Sequence, residues 1–137
     1  GEIEHAIWSA WKERKPDVIV IEGQGSLMNP AYPGGFEILA AGRPDVVIMQ
    51  CVPARKEYDG FPGYKMHPLK VQIEVVELLG GKPVVAVAIN HEDIASKDIP
   101  KVVKVTSESV NLPACDPLTQ GADVLVDALR PHIKKRR

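Results

Sequence analysis

The chain has 137 residues, 26% of them charged, and a formal net charge of −1, which suits one domain with its own hydrophobic core. The balanced charge gives no broad basic surface for nucleic acid, and no apolar run reaches the roughly 18 residues that a membrane span needs. Its two cysteines lack a CxxC spacing, as is typical of a reducing compartment, so we expect a cytoplasmic protein.

An amphipathic helix is predicted at the start of the chain. Ile3, Ile7 and Trp11 share one helical face, and Pro16 ends the helix. A parallel α/β domain usually opens with a strand, and Gly1 is not an initiator methionine. We therefore expect the chain, residues 1–137, to be one α/β domain from the C-terminal part of a longer, two-domain protein.

The most informative feature is an apolar run that ends in a carboxylate and a glycine-rich loop. Residues 18–22 read Val-Ile-Val-Ile-Glu, the composition of a strand buried on both faces of a parallel sheet. The loop over residues 23–35 is rich in Gly, Pro and Asn, and a short helix is predicted over residues 36–41. Ligands bind at the carboxyl ends of such strands, so this pattern predicts a site that includes Glu22.

Strands and helices are predicted to alternate along the rest of the chain. The predicted elements are a strand over 45–50, a long connection over 51–68, a helix over 69–79 and a strand over 84–89, then a Pro-rich turn region over 112–121 and a helix from 122 to 129. Between the last strand and the turn region, Pro100 and the length of residues 93–111 favour helix and the valines favour strand, and we predict a helix. This order predicts an α/β fold with a parallel sheet and helices on both faces.

Polar residues follow three predicted strands, whose ends should meet at one edge of the sheet. Glu22 suits Mg²⁺ beside a phosphate, or it caps the glycine loop. Arg55 suits a phosphate or carboxylate, or it is a solvated loop residue. Asn90 suits a purine edge, or it closes a turn.

Two further patterns limit the chemistry. His91-Glu92-Asp93 looks like a metal cluster, but consecutive residues in a turn rarely converge on one ion, so we expect no structural metal. The sequence contains no Gly-x-x-x-x-Gly-Lys-[Ser/Thr] phosphate loop. We therefore expect this chain alone not to bind ATP tightly.

Several motifs carry a family resemblance. Residues 21–27, followed by residues 29–32, resemble the EGQGSL-x-[HN]-P-A-Y signature of a P-loop NTPase-like family, and residues 42–45, 53–55 and 112–118 match its pattern as well. Members look like two-domain proteins, and some are N-acetyltransferases that act on D-glutamate-type amino acids. The strand end at Glu22 also resembles the equivalent segment of dethiobiotin synthetases, which faces the Mg-nucleotide. Asn90 resembles the asparagine with which those enzymes recognise the base.

The resemblance implies a role for each matching residue. Catalysis would involve Glu22, which would also face a metal, and Arg55; the substrate loop would contain Gly23, Gly25, Ser26, Asn29 and Tyr32; the cofactor base would be bordered by Asn90, Pro113 and Asp116. The cofactor is either ATP-Mg or acetyl-CoA. Asn29 stands where many members have His, which puts acetyltransferase activity in question.

Two functions of different classes follow. The first is the C-terminal part of a P-loop-type enzyme that binds a nucleotide or cofactor and modifies a small amino or carboxylic acid, as an N-acetyltransferase or as an ATP-Mg-dependent, ligase-like enzyme. The second is a non-catalytic oligomerisation domain. Expected partners are the small-molecule substrate, the N-terminal half of the same protein and further copies of the chain, but neither nucleic acid nor membrane.

Overall fold

The computed structural model of the protein describes residues 1–23, 26–31 and 34–133. Its elements in chain order are α1 (Glu2–Arg14), α2 (Gly34–Glu37), a π-helical turn (Ile38–Gly42), β1 (Val47–Cys51), α3 (Leu69–Gly80), β2 (Val84–Ile89), a 3-10 turn (Ser96–Asp98), α4 (Ile99–Val110), β3 (Ala114–Cys115), α5 (Pro117–Gln120), α6 (Asp123–Leu129) and a 3-10 turn (Arg130–His132). Among these helices, none has the length and apolar composition that crossing a bilayer requires.

The three strands form one parallel sheet with β2 in the centre, between β1 and β3. Cys51 is paired with Ile89, and Ala114 with Val87, so the carboxyl ends of neighbouring strands lie side by side. Helices α3 and α4 connect successive strands, and α6 packs against β2 and β3. The predicted α/β class with a parallel sheet is confirmed.

The hydrophobic core lies between α3 and β2. Its buried residues are Ile73 and Val76 from the helix and Val84, Val87 and Ile89 from the strand. The near-continuous apolar sequence of β2 is what a strand covered on both faces requires, which is why its predicted bounds agree with the structure.

Helix α3 ends where the glycine pair predicts. Gly81 has φ 61°, a left-handed conformation that glycine adopts without strain, and its N–H donates to the carbonyl of Glu77. The Glu77 side chain in turn accepts a hydrogen bond from the N–H of Val84 at 2.9 Å. The end of α3 and the start of β2 are thereby joined directly.

The ambiguous segment after β2 is a helix over its second half. Ile99, Val103, Thr106 and Val110 recur at helical spacing along α4, and Ile99 and Thr106 are buried. Val103 and Val110 pack against the core cluster. This helical stripe outweighs the strand preference of the valines, because burial on one face decides the conformation.

The strand predicted over residues 18–22 is not formed. A strand needs a neighbour that accepts its backbone hydrogen bonds, and no described strand pairs with this segment. Val20 is 85% exposed, although Ile21 packs against the π-helical turn at Gly42, where an added Cβ would lie 3.2 Å from the Ile21 side chain. Apolar composition alone therefore overstated the secondary structure here.

The region over residues 112–121 holds more structure than the predicted turn. It contains the two-residue strand β3 and the single-turn helix α5, which begins at Pro117. Elements this short leave no periodic signal in a sequence.

The long connection after β1 is folded on itself. Glu57 and Lys65 form an antiparallel bridge, and the N–H of Tyr58 donates to the carbonyl of Tyr64 at 2.9 Å. Tyr58 is only 5% exposed, and its hydroxyl lies 2.8 Å from Nδ1 of His67. One side of the sheet edge is therefore bounded by an ordered loop.

Replacing a core valine should cost far more stability than replacing an exposed one. Val87→Ala should lower the free energy of unfolding by roughly 1–3 kcal/mol, because a fully buried side chain loses two methyl groups. The matched control is Val105→Ala in α4, where the side chain is 55% exposed and the expected change is within about 0.5 kcal/mol. Urea unfolding measures both, and equal losses would contradict the assigned core.

Candidate functional site

The carboxyl ends of the strands bring together side chains that are far apart in the sequence. The N–H of Asn90 donates to the carbonyl of Cys51 at 2.8 Å, so the residues that follow β1 and β2 leave the sheet together. Parallel strands place their carboxyl ends at one edge, where α/β proteins bind ligands. The edge cluster is defined here as Arg55, Asn90, His91, Glu92 and Asp116.

Arg55 and Glu92 form a two-bonded ion pair in the edge cluster. Arg55 Nε donates to Glu92 Oε1 at 3.2 Å, and Nη2 donates to Oε2 at 2.5 Å. Both side chains are partly exposed. Glu92 raises the pKa of Arg55 further above its ordinary value through this hydrogen bond. The guanidinium therefore already holds a carboxylate in the planar geometry in which it would hold that of a ligand.

Asn90 closes the turn after β2. Its Oδ1 accepts a hydrogen bond from the N–H of Glu92 at 3.0 Å, while its amide nitrogen makes no hydrogen bond to the described residues. The amide nitrogen is therefore available as a donor to a ligand, while Oδ1 already accepts one hydrogen bond within the turn.

Asp116 is fully buried, with an exposed fraction of 0%. Its Oδ1 accepts hydrogen bonds from the N–H groups of Leu118 and Thr119, and thereby caps α5. Its Oδ2 lies 2.5 Å from Nδ1 of His91, and its own N–H donates to the side chain of Gln120. Both carboxylate oxygens thus have hydrogen-bond partners inside the protein, and Asp116 can act on a ligand only through His91.

Opposing effects set the pKa of Asp116. Burial by itself would raise this pKa, but the hydrogen bonds from Leu118, His91 and Thr119 outweigh burial and hold it below the ordinary value. A negative charge is therefore kept in the interior directly behind the His91 ring.

Pro113 contributes to the sheet rather than to the exposed edge, because its carbonyl accepts the N–H of Val87 at 2.9 Å.

Both cysteines are free thiols. Burial raises the pKa of Cys51 to about 11, and burial followed by the charge of Asp116 raises that of Cys115. Neither is a thiolate near neutral pH, so neither suits a nucleophilic role.

Two predicted site residues at the start of this region, Glu22 just before the glycine-rich loop and Ser26 within it, have no side-chain hydrogen-bond partner among the described residues. Glu22 is exposed and makes no hydrogen bond or ion pair with the described residues. Ser26 Oγ is buried and has no hydrogen-bond partner within the same described ranges.

The remaining substrate-loop positions have mainly structural contacts. Asn29 is buried, and its Oδ1 accepts the N–H of Ala31 at 2.9 Å, which closes a local turn. Gly23 lies near the π-helical turn, where an added Cβ would be 3.4 Å from the Ile38 side chain. Gly25 and Tyr32 lie outside the described residues.

A cleft of about 590 Å³ lies between the connection after β1 and the turn after β2. Its charged lining residues are four carboxylates and two cations: Glu57, Asp59, Glu92, Asp93, Arg55 and Lys56. The lining therefore carries a net negative charge, and Arg55 and Lys56 are the two cations in it that could meet an anionic group.

Two features that often accompany a magnesium-bound nucleotide are missing, one from the sequence and one from the described residues. The sequence has no phosphate loop, and the described ranges hold no group of three His, Cys, Asp or Glu that could bind a metal. Glu22 is a single carboxylate without a described partner, so Mg²⁺ there would take its other ligands from water and from phosphate oxygens.

Sequence reasoning placed Arg55 and Asn90 at the strand ends but gave no role to His91 and Glu92. These two residues were considered only as metal ligands of one cluster. The available signal was their position directly after a buried strand, since Glu92 pairs with Arg55 across 37 positions and His91 with Asp116 across 25.

Acidification should test the charge of Asp116. Because its folded-state pKa lies below the ordinary 3.8, the charged group stabilises the fold above about pH 4, and this stability is lost as the pH falls through the lowered pKa. Between about pH 5 and about pH 2, the unfolding free energy should fall more steeply in the wild type than in Asp116→Asn. Denaturant unfolding at each pH measures the difference, and parallel curves would refute it.

Comparison of Asp116→Ala with Asp116→Asn separates the contribution of helix capping to stability from the contribution of the negative charge. Asn retains an acceptor for the N–H groups of α5, whereas Ala does not, so at pH 7 the alanine variant should be less stable than the asparagine variant by about 1 kcal/mol.

Comparison with known proteins gives the family of the chain. Residues 1–126 match the family described as "Domain of unknown function (DUF1611_C) P-loop domain". A crystal structure of a DUF1611 family protein from Anabaena variabilis superposes with a TM-score of 0.89 at 25% identity, covering 96% of this chain and 40% of that one.

Two curated relatives carry the same name. D-glutamate N-acetyltransferase from Tritonibacter scottomollicae is 31% identical over 80% of this chain and 35% of its own length. The enzyme of that name from a Pseudoalteromonas species is 26% identical over 78% of this chain and 34% of its length. The chain thus spans about a third of these relatives. The matched residues and the fold together show that the chain belongs to the DUF1611 family, as its C-terminal P-loop domain.

Proposed function

We propose that the protein containing this domain is an N-acetyltransferase that transfers an acetyl group from acetyl-CoA to the amino group of a D-glutamate-type amino acid. The observation that carries the proposal is the similarity, over 80% of the chain, to a D-glutamate N-acetyltransferase. Because the chain spans about a third of that relative, the activity is proposed for the whole protein. Acetyl-CoA is preferred to ATP-Mg because both relatives are named for acetyl transfer.

The position and pairing of Arg55 support the proposal that the acetyl acceptor carries a carboxylate. Its guanidinium is held by the Glu92 carboxylate in a two-bonded contact at the exposed edge of the sheet. A substrate carboxylate of the same shape can take the place of Glu92 without any change in the guanidinium.

Acetyl transfer places two demands on the site. The acceptor amine must be neutral and aligned with the thioester carbonyl, and the oxyanion that forms must meet hydrogen-bond donors. The free amide nitrogen of Asn90 is one donor at this edge. Glu22 remains a predicted base from the glycine-rich loop, exposed and without a described partner.

The direct test is turnover by the purified full-length protein. D-Glutamate, L-glutamate, D-aspartate and D-glutamine are each incubated with acetyl-CoA, with thiol release followed in time and the acetylated product identified by mass. We expect D-glutamate to be acetylated fastest, with the Tritonibacter scottomollicae enzyme as positive control. No acetylated amino acid under conditions in which that enzyme turns over would refute the proposal.

Arg55→Gln should weaken binding of the acidic acceptor. Loss of a charged hydrogen-bonded contact is worth about 1.5–3 kcal/mol, so KM for D-glutamate should rise by at least about tenfold. Arg130→Gln is the matched control, because Arg130 pairs with Asp127 on the exposed end of α6, away from the edge cluster. Steady-state kinetics measure both variants, and an unchanged KM in Arg55→Gln would remove Arg55 from substrate binding.

A further inference from the structure

His91 and Asp116 form a histidine–carboxylate pair at the edge of the sheet. His91 follows β2 after a single residue, and its Nδ1 lies 2.5 Å from Asp116 Oδ2. The Asp116 side chain is 0% exposed, whereas that of His91 is 33% exposed. One member of the pair is therefore fixed in the interior, and the other remains accessible from the edge.

The second nitrogen of the ring is available. Nε2 of His91 makes no hydrogen bond to the described residues, and Asp116 occupies Nδ1. Because Asp116 is an acceptor, Nδ1 carries the proton in the neutral ring and Nε2 keeps its lone pair. A histidine with one nitrogen fixed by a buried carboxylate and the other free has the arrangement of a general base and its orienting group.

The position of the pair suits the acceptor proposed above. Glu92 and Asp93, which line the cleft, follow His91 directly, and Glu92 holds Arg55. The charged groups on the surrounding elements are thus Asp116 behind the ring, Glu92 and Asp93 in its own turn, and Arg55 beyond Glu92. His91 is not itself among the residues that line the cleft, so the amino group of an acceptor held by Arg55 would have to extend past Glu92 to reach Nε2.

We propose that His91 is the proton acceptor for the acceptor amine and that Asp116 is its positioning residue; the inference rests on the proposed acetyl transfer. The ammonium nitrogen loses two protons. One passes to His91 Nε2 and the other to water, the nitrogen lone pair forms the C–N bond to the thioester carbonyl, and the C–S bond breaks. The His91 imidazolium then returns its proton to the leaving thiolate.

His91 fits this role better than Glu22. Proton transfer requires a base held within hydrogen-bond reach of the amine, and Asp116 fixes the orientation of His91. No described residue holds Glu22 in a comparable way. The structural alternative, in which the pair only ties the turn after β2 to α5, predicts a loss of stability without a specific loss of turnover.

The experiment uses the full-length protein and D-glutamate with acetyl-CoA. His91→Gln retains an amide that can bond Asp116 but cannot accept the proton, so kcat should fall by at least about 100-fold while the thermal melting temperature changes little. His91→Ala should lose a similar factor, and added imidazole should restore part of the turnover. His132→Gln, in the exposed turn after α6, is the matched control and should behave as the wild type.

Asp116→Asn tests the positioning role. Asn preserves the cap of α5 but favours the wrong ring tautomer of His91, so kcat should fall while KM for D-glutamate changes by less than about threefold. A rise in KM for D-glutamate without a fall in kcat would overturn the positioning role.

The outcomes separate the two proposals. If the wild type acetylates D-glutamate and His91→Gln is equally active, the assignment of His91 is overturned and the proposed acetyltransferase function stands. Loss of turnover in a folded His91→Ala that imidazole does not restore also overturns the assignment. A wild-type protein that acetylates no acceptor overturns the proposed function and, with it, this inference.

Discussion

The parallel pairing of β2 with both of its neighbours is the constraint on which the rest of the structure depends. It aligns the ends of β1 and β2 through the bond from Asn90 to Cys51 and joins β2 to β3 through the bond from Val87 to Pro113. Side chains that are 25 and 37 positions apart then meet at one edge. The core between α3 and β2 stabilises this alignment, because it buries most residues of the central strand.

The sequence predicted those parts of the fold whose signals are local. The continuous apolar run of β2 and the stripe and glycine end of α3 each identify one element without reference to any other. Residues 18–21 are as apolar as β2, but composition does not tell whether a neighbouring strand is present to share hydrogen bonds. The two residues of β3 are too few for any periodicity, and only pairing with β2 defines them as a strand.

The site was predictable to a similar depth. A cation and an amide after successive strands indicated the edge, because chain order alone places parallel strand ends together. Their partners were not predictable, since a pair such as Arg55 and Glu92 depends on how far each turn extends beyond its strand. Asp116 illustrates the difficulty best: from sequence it resembles a ligand contact, whereas in the structure burial commits its oxygens to α5 and His91.

Helix α1 contains both tryptophans of the protein, Trp8 and Trp11, and each is about half exposed. Lys12 Nζ lies 4.5 Å from the ring centre of Trp8, and His5 stacks obliquely beside the same ring. Indole emission from these 137 residues therefore originates entirely from α1. The wavelength and quenching of this emission report on the surroundings of α1. The sheet and the edge cluster contain no tryptophan and contribute no indole fluorescence.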